Sequence, residues 1–504
     1  MGSTLSRRTF ISGVGATAAG AVAGGATLAE QPAAAATPAD RFGRMFPGLP
    51  PFVAADSRSR TALTDIGRPG GLLDARDPLN EGPIRLITNP ELSPRNRDNP
   101  FHTAGTTFFG QFLDHDMTFD TTSRLAVPTP PESTTNTRTP ALDLDSVYGG
   151  GPVVSPALYE SDRIKLRIES GGRFEDVPRA SNGTAIISDP RNDENVIISG
   201  LQAAFILAHN RAVDLLRGQG VPSNNLFERA RQLITWHYQW IIVNEFLPQV
   251  SGHGITQDIL AHGRRFYRPE PGPAFIPVEF QGAAYRFGHS MVRPSYRVNL
   301  AGNADGSPFF GFIFDPAGEG QADPVDLRGG RRARRRFIGW QTFFNFGDGQ
   351  VRPNKRIDRN ISTPLFNLPL GAIASGEPPT SLPQRNLLRH LTWSLPSGQR
   401  VANAMGWGAL TLNELAPYGM ENNSPLWYYV LAEAELIGDG IVLGPAGARI
   451  VGEVFIGLLQ LDPRSYLRAA GAGWRPTLPA QRAGTFGMTD LLRWARVDPA
   501  SRGQ

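Results

Sequence analysis

The sequence predicts a mostly α-helical fold: one large helical domain with long irregular connections and little β structure. Apolar residues recur at the spacing of an amphipathic helix in several long stretches, whereas the alternating patterns typical of strands are few. The chain of 504 residues is long enough for a large hydrophobic core, and no internal repeat divides it. Its 56 glycines and 43 prolines indicate long connections between the helices.

The predicted helices follow one another from residue 101 onward. In the longest, Glu194–Leu216, residues Ile197, Leu201 and Phe205 mark one apolar side. The other predicted helices are Phe101–Phe119, Phe227–Phe246, one around His289 within Pro277–Val292, Asn386–Trp393, Ser397–Met405, Trp427–Ile437 and Ala446–Leu459. Residues 37–100 are rich in Pro, Arg, Asp and Asn, and we expect them to form an arm of little regular structure that wraps the core.

Charge and cysteine content exclude several classes of protein. A formal net charge of +4 over this length is too weak to indicate nucleic-acid binding. The chain has no cysteine, so disulfides, thiolate metal ligands and cysteine nucleophiles are excluded. The oligomeric state stays open, except that a disulfide-linked dimer is excluded.

The first 36 residues resemble a twin-arginine export signal. Ser6-Arg7-Arg8-Thr9-Phe10-Ile11 precedes a weakly apolar Ala/Gly stretch, with Ala-rich cleavage candidates further on. We therefore predict a signal peptide over residues 1–36, a domain over residues 37–504 and an exported protein. The alternatives are a disordered leader or a lipid-associated helix. Glycines interrupt the apolar stretch, which argues against a permanent membrane anchor.

A short stretch, Gln111-Phe112-Leu113-Asp114-His115-Asp116, carries the most chemical information. On a helix, Gln111, Asp114 and His115 share one face because they stand at positions i, i+3 and i+4. An amide, a carboxylate and an imidazole among phenylalanines are costly to bury without partners. A second polar pair, Arg191 and Glu194, stands at i and i+3 at the start of the longest predicted helix.

The segment Thr139-Pro140-Ala141-Leu142-Asp143-Leu144-Asp145-Ser146-Val147-Tyr148-Gly149 has the oxygen pattern of a calcium loop. Oxygens recur at alternating positions and two of them are carboxylates, which suits an ion that takes six to eight oxygen ligands. The alternative is an ordinary Asx-type turn.

Four segments, in this order, resemble those of the animal-type haem peroxidases, the group of myeloperoxidase and peroxidasin. They are Gln111–Asp116, the calcium-type loop, Arg191-x-x-Glu194 and Arg286-Phe287-Gly288-His289, with Asn386-x-x-Arg389 downstream. The resemblance implies a bacterial, exported member of that group, and it covers the chain from Gln111 to Arg389.

The resemblance implies a role for each site residue. His115 would be the base that moves the peroxide proton, Arg191 the positive group and Gln111 the distal amide. Haem b would be ester-linked through Asp114 and Glu194. On the other side, His289 would bind the haem iron, Asn386 would accept a hydrogen bond from His289, and Arg389 would face a haem propionate.

Two further expectations concern calcium and the third haem link. The resemblance implies that Ca²⁺ is bound by Asp116, Thr139, Ala141 through its carbonyl, Asp143 and Asp145. Myeloperoxidase carries a methionine after the ester-forming glutamate, but the residue here is Asn195. No sulfonium bond is therefore expected, which makes strong chloride oxidation doubtful.

The function implied is a haem peroxidase that reduces H₂O₂ and oxidises a small donor, a phenol or a halide, through a ferryl intermediate. Two alternatives stay open: a fatty-acid oxygenase of the same superfamily, and a non-catalytic adhesion module stabilised by haem and calcium. The oxygenases carry a reactive tyrosine three residues before the proximal histidine, where this chain has Arg286. Tyr285 is one residue off and is expected to point elsewhere.

Other candidate residues receive structural interpretations. A run of arginines indicates either an anion-binding patch or, as we favour, a solvated surface loop. The run comprises Arg328, Arg331, Arg332, Arg334, Arg335 and Arg336. The remaining histidines, His102, His209, His237, His253, His262 and His390, are interpreted as structural or surface residues.

Overall fold

The structure, a computed structural model, describes residues 41–504 except residues 271, 331, 332, 374 and 472. It is 46% helical with 8% strand, which confirms the predicted fold class. The predicted signal over residues 1–36 lies outside the described residues.

The helices of the described part are numbered here in chain order. They are α1 Ser57–Ile66, α2 Gly82–Thr88, α3 Ala104–Met117, α4 Asp145–Tyr148, α5 Gly151–Val154, α6 Val196–Gly218, α7 Ser223–Ile241, α8 Leu247–Ser251, α9 His253–His262, α10 Val278–Gln281, α11 Leu382–Thr392, α12 Gly398–Ala404, α13 Leu426–Gly438, α14 Pro445–Leu461, α15 Met488–Trp494 and α16 Pro499–Arg502. Two 3₁₀ segments, Pro190–Asp193 and Ala284–Met291, also carry site residues.

Six short strands form three antiparallel pairs. They are β1 Asp98–Thr103, β2 Glu169–Ser170, β3 Glu175–Asp176, β4 Ser295–Arg297, β5 Phe310–Phe312 and β6 Pro353–Lys355. β1 pairs with β6, β2 with β3 and β4 with β5. In the first pair Asp98 stands opposite Lys355, and in the last Tyr296 stands opposite Gly311. The pairs connect loops rather than form a layer of their own.

Helices α3 and α6 pack together at the centre of the molecule. Phe112 of α3 stacks on Phe205 of α6, with ring centroids 4.8 Å apart and an interplanar angle of 6°. Both rings are fully buried, and each contributes about 1.5–3 kcal/mol relative to an exposed ring. This contact fixes the helix that carries Gln111 and His115 against the helix that follows Glu194.

Buried glutamates tie distant segments together through backbone N–H groups. Glu279 of α10 accepts hydrogen bonds from the N–H groups of Met45 and Phe46, which holds the N-terminal arm to the core. Glu433 of α13 accepts from the first turn of α14. Glu453 of α14 accepts from three successive N–H groups, residues 265–267.

Several element predictions need correction. The helix predicted from Phe101 begins at Ala104, because residues 98–103 form β1 and pair with β6. The arm predicted to have little regular structure contains α1 and α2. The helix predicted over Phe227–Phe246 ends its α-helical part at Ile241, and residues 242–246 continue as a π-turn.

The arginine run is not a solvated loop throughout. Arg336 is fully buried and donates hydrogen bonds to the carbonyls of Pro324, Asp326 and Arg328. Arg328 pairs with Asp326 at 2.9 Å and with Glu319. The surface interpretation is therefore wrong for these two residues, because their guanidinium groups satisfy carbonyls and carboxylates of the same segment. Residues 331 and 332 are outside the described part.

One helix of the described part, α6, has the length and composition of a membrane span. Within its apolar window, 83% of the residues are buried inside the protein, as expected of a central core helix.

Candidate active site

One cavity of about 240 Å³ collects most of the residues predicted for the site. It lies between α3, the 3₁₀ segment Pro190–Asp193 with the residues just after it, and the 3₁₀ segment Ala284–Met291. Six predicted residues line it: Gln111, Asp114, His115, Arg191, Glu194 and His289. Apolar side chains complete the wall, among them Phe287, Ile313, Phe314, Leu365, Leu368 and Leu382.

His115 is buried and held in one orientation by Asn192. Its Nδ1 is 2.8 Å from Asn192 Oδ1, and Asn192 Nδ2 donates to Gln202 Oε1 at 2.8 Å. With that amide orientation Nδ1 carries the proton, and Nε2 is left as an unprotonated base. Burial, followed by the charge of Arg191, lowers the pKa of His115 to about 3, so the imidazole is neutral at ordinary pH.

Arg191 is fixed from several sides. Asp189, which is fully buried, accepts from its Nε at 3.0 Å and from its Nη2 at 2.8 Å. Nη2 also donates to the carbonyl of Thr118 at 2.6 Å, and the guanidinium lies 4.3 Å from the ring centroid of Phe119. Nη1 is 3.6 Å from Asp114 Oδ2. Arg191 therefore presents a fixed positive charge at the cavity wall beside His115.

The two predicted ester carboxylates lie on this cavity. Gln111 Nε2 donates to Glu194, and Asn195 Nδ2 donates to Gln111 Oε1 at 3.4 Å. Burial raises the pKa of Glu194 to about 7. Burial also raises the pKa of Asp114, although Arg191 opposes the shift. Asn195 has a second role, since its side chain caps the N-terminus of α6.

His289 occupies the wall formed by Ala284–Met291. Its Nδ1 lies 2.7 Å from Asn386 Nδ2, while Asn386 Oδ1 accepts from Arg286 Nη1 at 2.8 Å. Burial lowers the pKa of His289 to about 3, so the imidazole is neutral, as a metal ligand must be. A Cβ at the neighbouring Gly288 would meet nothing within 4 Å, which leaves open space beside the imidazole.

Arg389 lies outside the cavity, and Arg286 lies on its wall. Arg389 does not line the cavity: it donates to Asp120 Oδ2 at 3.0 Å and to Ser123. Arg286, which the sequence analysis used only as evidence against an oxygenase, does line the cavity. Because Arg389 pairs with Asp120 outside the cavity, Arg286 is the better placed of the two arginines to face a group bound in the cavity.

Tyr285 also departs from expectation, because it lines the cavity rather than pointing elsewhere. Its hydroxyl donates to the carbonyl of Gly110 on α3 at 2.8 Å, and its ring stacks on Phe280 with centroids 4.7 Å apart. The segment is a 3₁₀ helix with three residues per turn, so the α-helical angles assumed for it do not apply.

Three carboxylates meet next to α3, as the calcium prediction requires. Ligand atoms of Asp116, Asp143 and Asp145 all lie within 4.8 Å of one another, and all three residues are buried. Asp116 Oδ2 accepts from the N–H of Leu144 and from the hydroxyl of Tyr238, both at 3.0 Å. Burial and the two neighbouring aspartates raise the pKa of Asp116 well above its usual range, which a bound cation would reverse.

The loop before this cluster contributes the other two predicted ligands. Thr139 and Ala141 lie in the same loop, where the N–H of Thr139 donates to Asp145 Oδ2 at 2.9 Å. Oxygen-only donors with three carboxylates are the chemistry of a hard divalent cation such as Ca²⁺.

Among the residues of the site that were not predicted from the sequence are Asp189, Asn192, Arg286, Tyr285 and Arg138, which contacts Asp189. Asp189 and Asn192 lie close to Arg191 in the chain, and this proximity was the feature of the sequence that could have indicated them. Arg286 stands three residues before His289, which places the two on one side of a 3₁₀ helix. Arg138 gave no signal of its own.

A neutral histidine on a buried, largely apolar cavity of a mostly helical protein is the kind of ligand that holds haem iron in helical haem proteins. The sequence matches the family model described as animal haem peroxidase over residues 122–310, a range that includes Arg191, Glu194 and His289. Over these residues the chain is similar to the animal haem peroxidase family.

Curated peroxidases are also similar to this chain. The chain is 25% identical to chorion peroxidase of Aedes aegypti over 354 residues, which cover 65% of this chain and 41% of the relative. It thus spans about two fifths of that protein's length. The fold is similar to that of peroxidase A from Dictyostelium discoideum, with a TM-score of 0.59, 16% identity and coverage of 90% and 92% of the two chains.

A fatty acid α-dioxygenase of Arabidopsis thaliana has a similar fold. The TM-score is 0.55 with 16% identity, covering 84% of this chain and 72% of that one. At this identity the likeness concerns the fold alone.

The residues present fit a haem group, which the match to the animal haem peroxidase model implies. His289 offers a neutral imidazole, the space beside Gly288 is open, and apolar side chains line the walls. Arg191 and Arg286 supply positive charge at the cavity, as the carboxylates of a porphyrin require.

Proposed function

We propose that this protein is a haem peroxidase that reduces H₂O₂ and oxidises a small donor, a phenol or a halide. The observation that carries the proposal is the pairing of a neutral, oriented His115 with a fixed Arg191 on the cavity that also holds His289. A binding module would have no need of this pair, because neither residue is a candidate ligand of the iron or of calcium.

When bound, haem would supply the iron at which peroxide is reduced and would pass the oxidising equivalents to the donor. His289 would be its protein ligand, and Asp114 and Glu194 would form the ester links. A ligating imidazole donates its Nδ1–H, so the Asn386 amide would have to turn its oxygen from Arg286 towards His289, and Arg286 would give up its hydrogen bond to that oxygen.

The chain's own residues move the proton and stabilise the charge. Nε2 of His115 takes a proton from one oxygen of H₂O₂ and delivers it to the other oxygen, which departs as water. Arg191 stabilises the negative charge that develops as the O–O bond breaks. Reduction of one peroxide to two waters consumes two protons and two electrons, the electrons coming from the donor.

We also propose a calcium ion between Asp116, Thr139, Ala141, Asp143 and Asp145. The close approach of three buried carboxylates supports it. Asp116 is adjacent to His115, so an ion there would anchor the end of α3 that carries the base.

Stopped-flow spectroscopy of the haem-loaded chain with one equivalent of H₂O₂ tests the function. In His115→Ala the rate of the Soret change should fall by about 10²–10⁴-fold. Arg191→Gln should also react more slowly, and His253→Ala, which alters an exposed histidine, should match the wild type. A wild-type haem band that ignores peroxide would reject the proposal in favour of a binding module.

One observation favours a second candidate, a fatty-acid oxygenase: Tyr285 lines the cavity. Its hydroxyl is tied to the carbonyl of Gly110, which cannot take up a proton from it, so we rank this function second. Oxygen uptake with a fatty acid, lost in Tyr285→Phe, would reverse the ranking.

A further inference from the structure

Arg138 is a buried cation between the carboxylate cluster and Arg191. Its side chain is 2% exposed. Nη1 lies 3.3 Å from Asp145 Oδ1, and Nε lies 2.9 Å from Asp189 Oδ2. Nη1 and Nη2 also donate to the hydroxyl and the carbonyl of Ser188, at 3.3 and 2.9 Å. One guanidinium therefore joins the candidate calcium loop to the segment that precedes Arg191.

Asp189 contacts both Arg138 and Arg191 and so links Arg138 to the active site. Its carboxylate is 0% exposed and binds Arg138 on one side and Arg191 on the other. Oδ1 also accepts from the backbone N–H of Arg191 at 3.0 Å. A fully buried carboxylate has to be paired, and here both partners are arginines whose positions depend on it.

The charges of this region balance only when Arg138 is included. The three clustered carboxylates carry three negative charges, and a divalent cation would leave one. Arg138 supplies the matching positive charge, while Asp189 and Arg191 balance each other. Arg464 also approaches Asp143 at 3.3 Å, but its side chain is 57% exposed, so water and salt screen that pair.

We propose that Arg138 is a positioning residue that couples the carboxylate cluster to the active site: it is the counter-ion of Asp145 and, through Asp189, holds Arg191 in place. The inference rests on the proposed function only for its peroxide readout. Only arginine can serve here, because its planar fork reaches two carboxylates at once, whereas the ammonium of lysine is a single point of charge.

The coupling predicts that a cation bound to the carboxylate cluster changes how firmly Arg191 is held. A cation at Asp145 draws that carboxylate away from Arg138, and the guanidinium then interacts more strongly with Asp189. Asp189 in turn holds Arg191 more firmly. Removing calcium should therefore loosen Arg191 in the wild type and have no such effect once Arg138 is replaced.

The experiment uses the haem-loaded chain with and without Ca²⁺ and follows the dissociation of cyanide from the ferric haem. Bound cyanide is an anion that a fixed Arg191 retains, so this readout needs no peroxide chemistry. The variants are Arg138→Gln, Arg138→Lys, the double variant Arg138→Gln/Asp145→Asn, and Arg191→Gln as the reference for a lost Arg191. Arg167→Gln, an arginine 34% exposed beside Glu169, is the matched control.

In the wild type and the control, chelation of Ca²⁺ should speed cyanide release by about fivefold or more, within the ordinary range of coupling between sites. In Arg138→Gln, release should be fast with or without Ca²⁺, and Arg138→Lys should be intermediate. The double variant should recover thermal stability, because Asp145 no longer carries an unpaired charge. Its cyanide release should stay fast, since Asp189 still lacks its contact with Arg138.

Calcium affinity gives a second, independent readout. Ca²⁺ titrated into the metal-stripped chain should bind about tenfold or more tightly in Arg138→Gln, because a positive charge beside the cluster is gone. An unchanged affinity, or a calcium effect on cyanide release as large in Arg138→Gln as in the wild type, would overturn the inference. A wild type that shows the coupling but ignores H₂O₂ would leave Arg138's role intact and refute the peroxidase function instead.

Discussion

At the scale of single residues, the sequence predicted which side chains carry the chemistry but few of the residues that position those side chains. Residues Gln111, His115, Arg191, Glu194 and His289 line one cavity, as their spacing and the family resemblance indicated. Asn192 was not predicted as the partner of His115, because the two residues are 77 positions apart. Asn386, which is 97 positions from His289, was predicted as its partner only through the family resemblance.

Asn386 offers a residue-scale prediction about the iron. In Asn386→Asp, a carboxylate would accept the Nδ1–H of His289 more strongly than an amide and make the imidazole a more basic ligand. The Fe(III)/Fe(II) midpoint potential should fall by about 60 mV, equivalent to about 1.4 kcal/mol for one electron. Spectroelectrochemical titration of the haem-loaded chain measures it.

The control for this variant is Asn182→Asp, which adds the same charge at an exposed turn. Its potential should equal that of the wild type. A potential that stays unchanged or rises in Asn386→Asp would contradict the assignment of His289 as the iron ligand.

At the scale of elements, local periodicity predicted the long helices well. It failed where tertiary contacts determine the secondary structure. The predicted Ala446–Leu459 helix extends over Pro445–Leu461 in the structure. Around His289, by contrast, the chain forms a short α-helix and then a 3₁₀ segment instead of the single predicted helix. Helix α1 was missed because its composition is mostly polar and only a few of its residues, such as Leu63 and Ile66, are apolar and buried.

The junction of α13 and α14 has a pH dependence of its own. Glu433 is 1% exposed and accepts hydrogen bonds from the N–H groups of Ala446 and Gly447. Burial, opposed by these bonds, raises its pKa to about 7 from 4.5. A carboxyl whose pKa is raised on folding stabilises the protein below the unfolded pKa, and this contribution is lost as pH rises through the folded pKa.

Ionisation of Glu433 should therefore lower the free energy of unfolding by up to about 3 kcal/mol as the pH rises from 4.5 to 7. Glu433→Gln keeps an acceptor but cannot ionise, so it should lack this slope. Urea unfolding of both proteins across the range measures the difference. A difference between the two free energies that is independent of pH would contradict the raised pKa.

At the scale of the whole molecule, we propose that residues 1–36 direct export of the chain after it has folded. A fusion of these residues to a folded reporter should cross the membrane of a bacterium with a twin-arginine pathway. The variant Arg7→Lys/Arg8→Lys should retain the reporter inside the cell. Cell fractionation measures both, and equal export of the two fusions would contradict the proposal.

The buried glutamates have a consequence for the conditions under which the whole molecule can form. Glu279, Glu433 and Glu453 join distant segments by hydrogen bonds that need no oxidant, and the chain contains no thiol. Its tertiary connections are thus indifferent to the redox state of the compartment, unlike a disulfide framework. Nor can peroxide convert a cysteine to its sulfenic or sulfonic acid here. A protein held together in this way can complete its fold in a reducing solution, and none of the bonds that join its segments depends on the oxidation of a thiol.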